Sequence, residues 1–506
     1  MKIVFNNNQV YASLFLIGFF LLVRLFNEPF QDDEGYIGEH AYFFSQLGYV
    51  KCEMFRGLMA QEQHFIPYHK LFVWLAGVFI KIFGMSIYSV RAVTVLSTAL
   101  LLLALYQHAS QWQKDNQLHA AVLPHNFAAF VCLTFLLIPV VIFRTVLFRP
   151  EMTTTLLGFV SYAWLYRYQH TGQKRYLIFA GLAAGWAALA HLNGLIFVGA
   201  GGLVLLQGWK MQQWKMQLYR AALFGIAAAI AFLPYVVEAG MYWHFFKEQF
   251  FQPVFEGKTE FTWKSALLNL LAEQARLFWK PMVIFPSVAF FIASFLLWRT
   301  GKFRFLLTYA FWLVVLLGIL MNDKGRIDYL TYHAPFFALV VATALYVYVG
   351  QGLPAASKWH KYAAMLSLVM LMGNGVVYLI TQTPYARPVN LAQMNAQIGR
   401  YLPKGAWCVV PMNFVYNQIG KQRLISLAYA TYQYTGRIGG SSTLKSLADF
   451  CDRQQAFYVV LNKAGVLPEE QIADYNDTTL RNQYFELLAN TPDYKVLRRR
   501  QPKELP

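Results

Sequence analysis

Long apolar runs separated by short polar stretches fill the chain from residue 10 to residue 380. The first, residues 10–26, is long enough for a membrane-crossing helix, which needs about 20 residues. Further spans are predicted at 90–107, 124–143, 152–166, 176–190, 194–206, 218–237, 282–298, 305–321, 332–349 and 362–380. The apolar stretch between Lys70 and Lys81 is too short to cross. Its Leu71, Leu75, Val78, Phe79 and Ile82 recur at helical spacing, which predicts an amphipathic helix lying in the interface. Counting that helix as a span would invert every later loop. After residue 383 the pattern changes. Residues 390–402 read as a helix stopped at Pro403-Lys404-Gly405, and 407–410 and 457–461 as short buried strands, with a weaker third at 494–497. The expected fold is a polytopic α-helical membrane part of about 11 spans, residues 1–382, whose first outer loop is 27–89, and a soluble α/β domain, residues 383–506.

Composition fits this division. Hydrophobic residues make up 57% of the 506 and charged residues 13%, against roughly 25% charged in soluble domains. No stretch shows the ~10-residue alternation of an outer-membrane barrel. The net charge of +18 does not point to nucleic acid, because the basic residues stand mainly between spans and in the tail. Arg167, Lys174 and Arg175, then Lys210, Lys215 and Arg220, then Arg299, Lys302 and Arg304, then Lys358 and Lys361 form acid-free clusters on alternate loops. The positive-inside rule makes those loops cytoplasmic. A multi-pass protein of the plasma (inner) membrane is expected, with a cytoplasmic N-terminus, a retained first span and an extracytoplasmic tail. Four cysteines show no CxxC pair and no metal spacing; Cys408 and Cys451 could be a disulfide or two free thiols.

The candidate chemistry follows the first span. Asp32-Asp33-Glu34 puts three carboxylates in a row, so at least one needs a raised pKa or a compensating cation. Three further polar sets share that predicted outer side: His64, Tyr68, His69 and Lys70; Arg144, Arg149 and Glu151; and Asp323, Lys324, Arg326 and Asp328. Carboxylates beside Arg and Lys suit a general base working next to a phosphate leaving group. Each set also has a plainer role: cations at span ends reach for head groups, and buried histidines serve as structural hydrogen-bonders. The tail carries no phosphate-binding loop and no Ser/His/Asp signature, so it reads as a scaffold or acceptor-handling unit.

Asp33-Glu34 after the first span resembles the Asp-Glu motif of membrane glycosyltransferases of the GT-C fold, nearest the protein O-mannosyltransferase and aminoarabinose-transferase type. The sequel is similar too: Tyr68-His69-Lys70-Leu71 stands where Lys-Pro-Pro-Leu is usual, followed by Val73-Trp74-Leu75, Phe83-Gly84 and Arg91. Arg149-Pro150-Glu151 resembles the acidic second loop of that type. The Pro-Pro pair is absent, the basic residue stands at Lys70, and Tyr36 replaces the Arg that often follows the Asp-Glu pair in the aminoarabinose branch.

The resemblance implies transfer of a sugar, with inversion, from a polyprenyl-phosphate donor to a glycolipid, glycan or protein acceptor at the outer surface of the lipid bilayer. It makes Asp33 the general base, with Glu34 orienting it or binding acceptor or metal. Asp32, Tyr36, His69, Lys70, Arg149, Glu151 and Arg326 are the expected substrate contacts. No metal ligand is assigned, and use of a divalent cation such as Mg²⁺ stays open. The competing classes are a transporter or flippase for a lipid-linked glycan, which would place its charges near the midplane in paired halves, and a non-catalytic envelope partner.

Overall fold

The computed structural model describes residues 6–118, 123–207, 214–250, 263–320, 327–350, 358–382, 390–435, 442–462 and 472–500. The first predicted span is helix α1 (Asn7–Asn27), begun by a reciprocal cap between Asn6 and Gln9. The acidic stretch opens α2 (Asp32–Leu47), and the interfacial segment is α3 (Lys70–Phe83). Next come α4 (Ile87–Asp115), α5 (Phe127–Leu136), α6 (Pro139–Arg144), α7 (Glu151–Thr171), α8 (Lys174–Ala190), α9 (Leu195–Leu206) and α10 (Trp214–Met241). Three short helices, α11 (Trp243–Phe246), α12 (Trp263–Ala272) and α13 (Gln274–Phe278), lead to α14 (Pro281–Trp298), α15 (Arg304–Leu320), α16 (Ala334–Leu345) and α17 (Lys358–Gln382). Among the described residues, α1, α4, α10, α14 and α17 are the 5 helices long and apolar enough to cross a membrane.

The expected span 124–143 is not one helix. It breaks between α5 and α6, where Ile138 is extended and Pro139 opens α6. A proline ring cannot donate to the preceding turn and clashes with it, so the break falls there. The apolar face read in α3 is its outer one: Leu75, Val78 and Ile82 are exposed, while Phe72, Val73, Ala76 and Ile80 are buried against α2 and α4.

The tail folds about a five-stranded sheet, β1 (Trp407–Val410), β2 (Arg423–Ser426), β3 (Tyr458–Asn462), β4 (Phe485–Asn490) and β5 (Tyr494–Arg499), in the order β2-β1-β3-β5-β4. The β1 strand pairs in parallel with β2 and β3, whereas β5 is antiparallel to β3 and β4. Its core is shared with the membrane part. Phe30, Ile37, Ala41, Phe55 and Phe72 pack in one cluster with Val409, Met412, Tyr416 and Val460. The Ser426 N–H donates to the Met54 carbonyl at 2.9 Å, fixing β2 to the loop between α2 and α3. All four cysteines are buried free thiols, so the possible Cys408–Cys451 disulfide is not formed.

Candidate active site

The site starts from the way α2 begins. The Gln31 N–H donates to Glu34 Oε2 at 3.0 Å, a cap three residues long, and Asp32, Asp33 and Glu34 fill the first turn, where the helix dipole favours negative charge. Successive helical residues point about 100° apart, so the three carboxylates meet three different environments.

Glu34 points into the protein and is fully buried. Arg91 grips it with both prongs, Nε to Oε1 at 2.8 Å and Nη2 to Oε2 at 2.7 Å, and the Phe148 N–H donates to Oε1 at 2.8 Å. The spare Arg91 donors reach the carbonyls of Leu25, Glu28 and Pro29. This knot ties the end of α1, the start of α2, α4 and the loop before α7 into one rigid wall. Asp33 faces the other way, with 45% of its side chain exposed, and accepts from Arg149 Nη1. Arg149 is itself held from behind by the buried Glu151, Nη2 to Oε1 at 2.8 Å and Nε to Oε1 at 3.1 Å. Burial and the neighbouring Asp33 charge raise the Asp32 carboxyl above its ordinary range.

Asp32, Asp33 and Arg149 open on a cavity of about 260 Å³, lined also by Tyr36, Ile37, Phe55, Leu58, Gln61, Tyr68, His69, Pro150, His191 and Met412. Four of the expected contacts, Asp32, Tyr36, His69 and Arg149, therefore meet the expected base Asp33. Glu34 and Glu151 stand behind them. Lys70 turns away and pairs with Glu238 of α10, which also sits 3.2 Å from His64 Nε2. Arg326 lies outside the described residues. Of its predicted set Asp328 is paired with Arg144, which brings the third and fourth polar sets together. Glu39, two turns further along α2, meets the loop that follows the helix and accepts from Cys52 Sγ and from the Glu53 and Met54 amides, each at 3.0 Å.

Tyr68 belongs to the second polar set, and the backbone turn at His191 brings the Leu192 N–H to the Tyr68 carbonyl at 3.0 Å. Nothing local marks Gln61, Phe55, Leu58 or Met412. Met412 comes from the tail, whose Tyr416 hydroxyl donates to the Glu34 carbonyl at 2.6 Å and holds the tail on the first turn of α2.

Among the described residues no three metal-binding side chains converge, and two of the carboxylates, those of Asp33 and Glu34, already have arginine partners. His69 shares its surroundings with His40: the rings stack with centroids 5.7 Å apart, both are fully buried, and burial pushes the His40 imidazole down to about 3 and that of His69 well below its ordinary range. Burial thus favours the neutral form of both rings. The arrangement offers one open carboxylate with a guanidinium beside it in a shared cavity, a layout suited to drawing a proton from a hydroxyl next to a departing anion.

No protein-family model matches the sequence, and no curated protein matches it by sequence. Solved structures do. ArnT from Cupriavidus metallidurans bound to undecaprenyl phosphate aligns over 99% of this chain and 99% of its own at a TM-score of 0.63 and 13% identity. The apo form of that protein aligns over 97% and 98% at a TM-score of 0.61 and 14% identity. The Archaeoglobus fulgidus oligosaccharyltransferase in its apo form aligns over 90% of this chain and 70% of its own, at 0.52 and 13%. At such identities the likeness is one of architecture, and it extends over nearly the whole chain: the chain has the GT-C fold of the membrane glycosyltransferases.

Proposed function

We propose that this protein is an integral membrane glycosyltransferase that moves a sugar from a polyprenyl-phosphate donor to a hydroxyl of an extracytoplasmic glycolipid, glycan or protein. One observation carries the reading. Asp33 is the open carboxylate of a cavity in which Arg149 sits at hydrogen-bonding reach, with Glu34 and Glu151 locked behind them. The fold it shares with an ArnT structure that holds undecaprenyl phosphate supports a lipid-phosphate donor.

The acceptor oxygen attacks the anomeric carbon from the side opposite the phosphate while its proton passes to Asp33 Oδ. The bond between that carbon and the phosphate oxygen breaks, and its electron pair leaves on the phosphate, so the products are the inverted glycoside and polyprenyl phosphate. Arg149 holds Asp33 in place and adds positive field where the leaving phosphate gathers charge. Glu34 acts as a positioning residue, through Arg91 and the Phe148 amide. Lys70 can serve the phosphate only after leaving Glu238.

The reading includes about 11 spans, a cytoplasmic N-terminus and an outer-facing tail in the plasma (inner) membrane, supported by the loop charges and by the gathering of the site at one end of the bundle. A carrier would show charged groups at mid-membrane; here the ion pairs of Arg24, Lys70, Arg91, Arg144 and Arg149 all belong to the site end. The test is the mass of candidate acceptors after exposure of the purified protein to a set of polyprenyl-phosphate sugars. One sugar gained by an acceptor supports the reading, and unchanged acceptors across the set refute it.

A further inference from the structure

The turn that carries Asp33 is held from two sides. On the membrane side, Arg91 and the Phe148 N–H grip the Glu34 side chain. On the tail side, the Tyr416 hydroxyl donates to the Glu34 backbone carbonyl at 2.6 Å, across 382 residues of chain. A carbonyl at that place in a helix already accepts from the amide four residues on, so the hydroxyl takes its second lone pair. The backbone does not need this bond to be satisfied. Docking of the tail does not need it either, because Phe30, Ile37, Val409 and Met412 share one apolar cluster, and apolar burial is non-directional. A hydrogen bond adds direction.

The donor is itself firmly placed. Tyr416 is fully buried, with its ring edge-on to Phe30 at 6.0 Å between centroids. Asn395 Nδ2 donates to the carbonyls of Asn413 and Tyr416, each at 3.0 Å. Asn413 Nδ2 donates to the Tyr494 hydroxyl at 2.6 Å, and that hydroxyl donates to Asn395 Oδ1 at 3.2 Å. Asn395 lies in the helix Leu391–Gly399 and Tyr494 opens β5, so a closed and buried ring of hydrogen bonds ties the loop of Tyr416 to a tail helix and to the sheet. Such a ring is stiff, because each of its bonds is directional and sits away from water. Asp33, one residue before the carbonyl that Tyr416 holds, is the group whose placement matters most. Misplacing a reacting group by about 1 Å can lower a rate by up to about a hundredfold.

We propose that Tyr416 is a positioning residue for the transfer step: through the Glu34 carbonyl it sets the angle at which the first turn of α2 presents Asp33 to the cavity. The tail then takes part in catalysis by aiming the base. The proposal rests on the glycosyl-transfer reading above, with Asp33 as that base.

The experiment gives full-length purified parent, Tyr416→Phe, Asp33→Asn and the double variant the same set of undecaprenyl-phosphate hexoses and pentoses. Tyr416→Phe keeps the ring and its packing and removes one hydroxyl. It should lower kcat about tenfold and leave the KM for the donor within about twofold. In the Asp33→Asn background, where no base remains to be aimed, the same change should lower kcat by less than about twofold. A general loosening of the fold would instead raise KM and multiply with the loss at Asp33. Thermal unfolding is followed for every variant. Should Tyr416→Phe not fold, Tyr494→Phe decides, since it opens the ring of hydrogen bonds without touching α2: kcat should fall with Asp33 present and hold in Asp33→Asn. Unchanged kcat, or equal fold-losses with and without Asp33, overturns the proposal while transfer itself stands. Absence of transfer by the parent from every donor removes the glycosyl-transfer reading and this proposal with it.

Discussion

Glu34 has its carboxylate oxygens taken by Arg91 and by the Phe148 and Gln31 amides, while Asp33, one position earlier, keeps almost half of its side chain open. The difference assigns them different experimental signatures. Removing one partner of a fully buried ion pair leaves the other charge unpaired, at a cost of about 3–5 kcal/mol. Arg91→Met should therefore lower the unfolding temperature and yield of the detergent-solubilised protein before any effect on chemistry can be read, and unchanged unfolding would show that the knot is not structural. Glu39, two turns further along α2, should make itself felt through pH. Burial pushes its carboxyl from an ordinary value of 4.5 up to about 8. The folded protein then holds a proton that the unfolded chain has released, so this contribution to stability is fully present below 4.5 and is lost as pH rises towards 8. Thermal unfolding across that window should fall less steeply in Glu39→Gln than in the parent, and identical profiles would place the titration elsewhere. Charge crowding in Asp32-Asp33-Glu34 announced that a compensating cation or a raised pKa was needed, and both occur. Which cations answer was not legible, because Arg91 and Arg149 stand 57 and 116 residues from the acids they meet.

The helix α2 does two jobs with two faces. Asp32, Asp33, Tyr36 and Ile37 line the cavity, while Gly35 and Gly38 let the tail come close: a Cβ at Gly35 would stand 2.5 Å from the Met412 carbonyl oxygen, and one at Gly38 2.8 Å from the Tyr416 hydroxyl. Gly35→Ala must push Met412 out of the cavity wall, with about 1–3 kcal/mol lost from overpacking. Reduced thermal stability together with a raised KM is the expected pair of effects; a silent substitution would mean the tail yields freely. A second element-scale contact concerns α3, whose first residue, Lys70, is held by Glu238 of α10. If that ion pair competes with the donor phosphate, Glu238→Gln should tighten binding of undecaprenyl phosphate several-fold, by the worth of one charge-assisted hydrogen bond. Weaker binding would show instead that Glu238 helps to build the site. The existence of α3 could be read from its spacing, but not which side is buried, because it is apolar on both: Leu75 and Val78 are exposed, Phe72 and Ala76 are buried.

At the scale of the molecule, the cavity is completed only when the tail closes over the loop between α2 and α3. Hydrophobic runs made the helical part legible, and Pro139 marks a break that run length concealed. In the tail, β1, β3 and β5 carry buried apolar patterns, whereas β2 and β4 escaped notice. The β2 strand is four residues long, and β4 follows directly on the helix Thr478–Tyr484 with no turn residue between. The shared core of Phe55, Met412 and Tyr416 joins segments far apart in the chain, which periodicity does not report. The proposed orientation has a direct check: a cysteine at exposed Lys404 should react with a membrane-impermeant label applied from outside, and one at exposed Lys215 should not. The reverse pattern would put the cavity on the cytoplasmic face.

Everything proposed converges on one open carboxylate. Asp33→Asn keeps the shape of the side chain and removes its basicity. Turnover of a polyprenyl-phosphate sugar by this variant should fall about a hundredfold or more, the range of general-base contributions, with donor binding and unfolding temperature close to the parent's. Asp32→Asn, measured beside it, should fall far less. Equal turnover by Asp33→Asn and the parent would contradict the account at its centre.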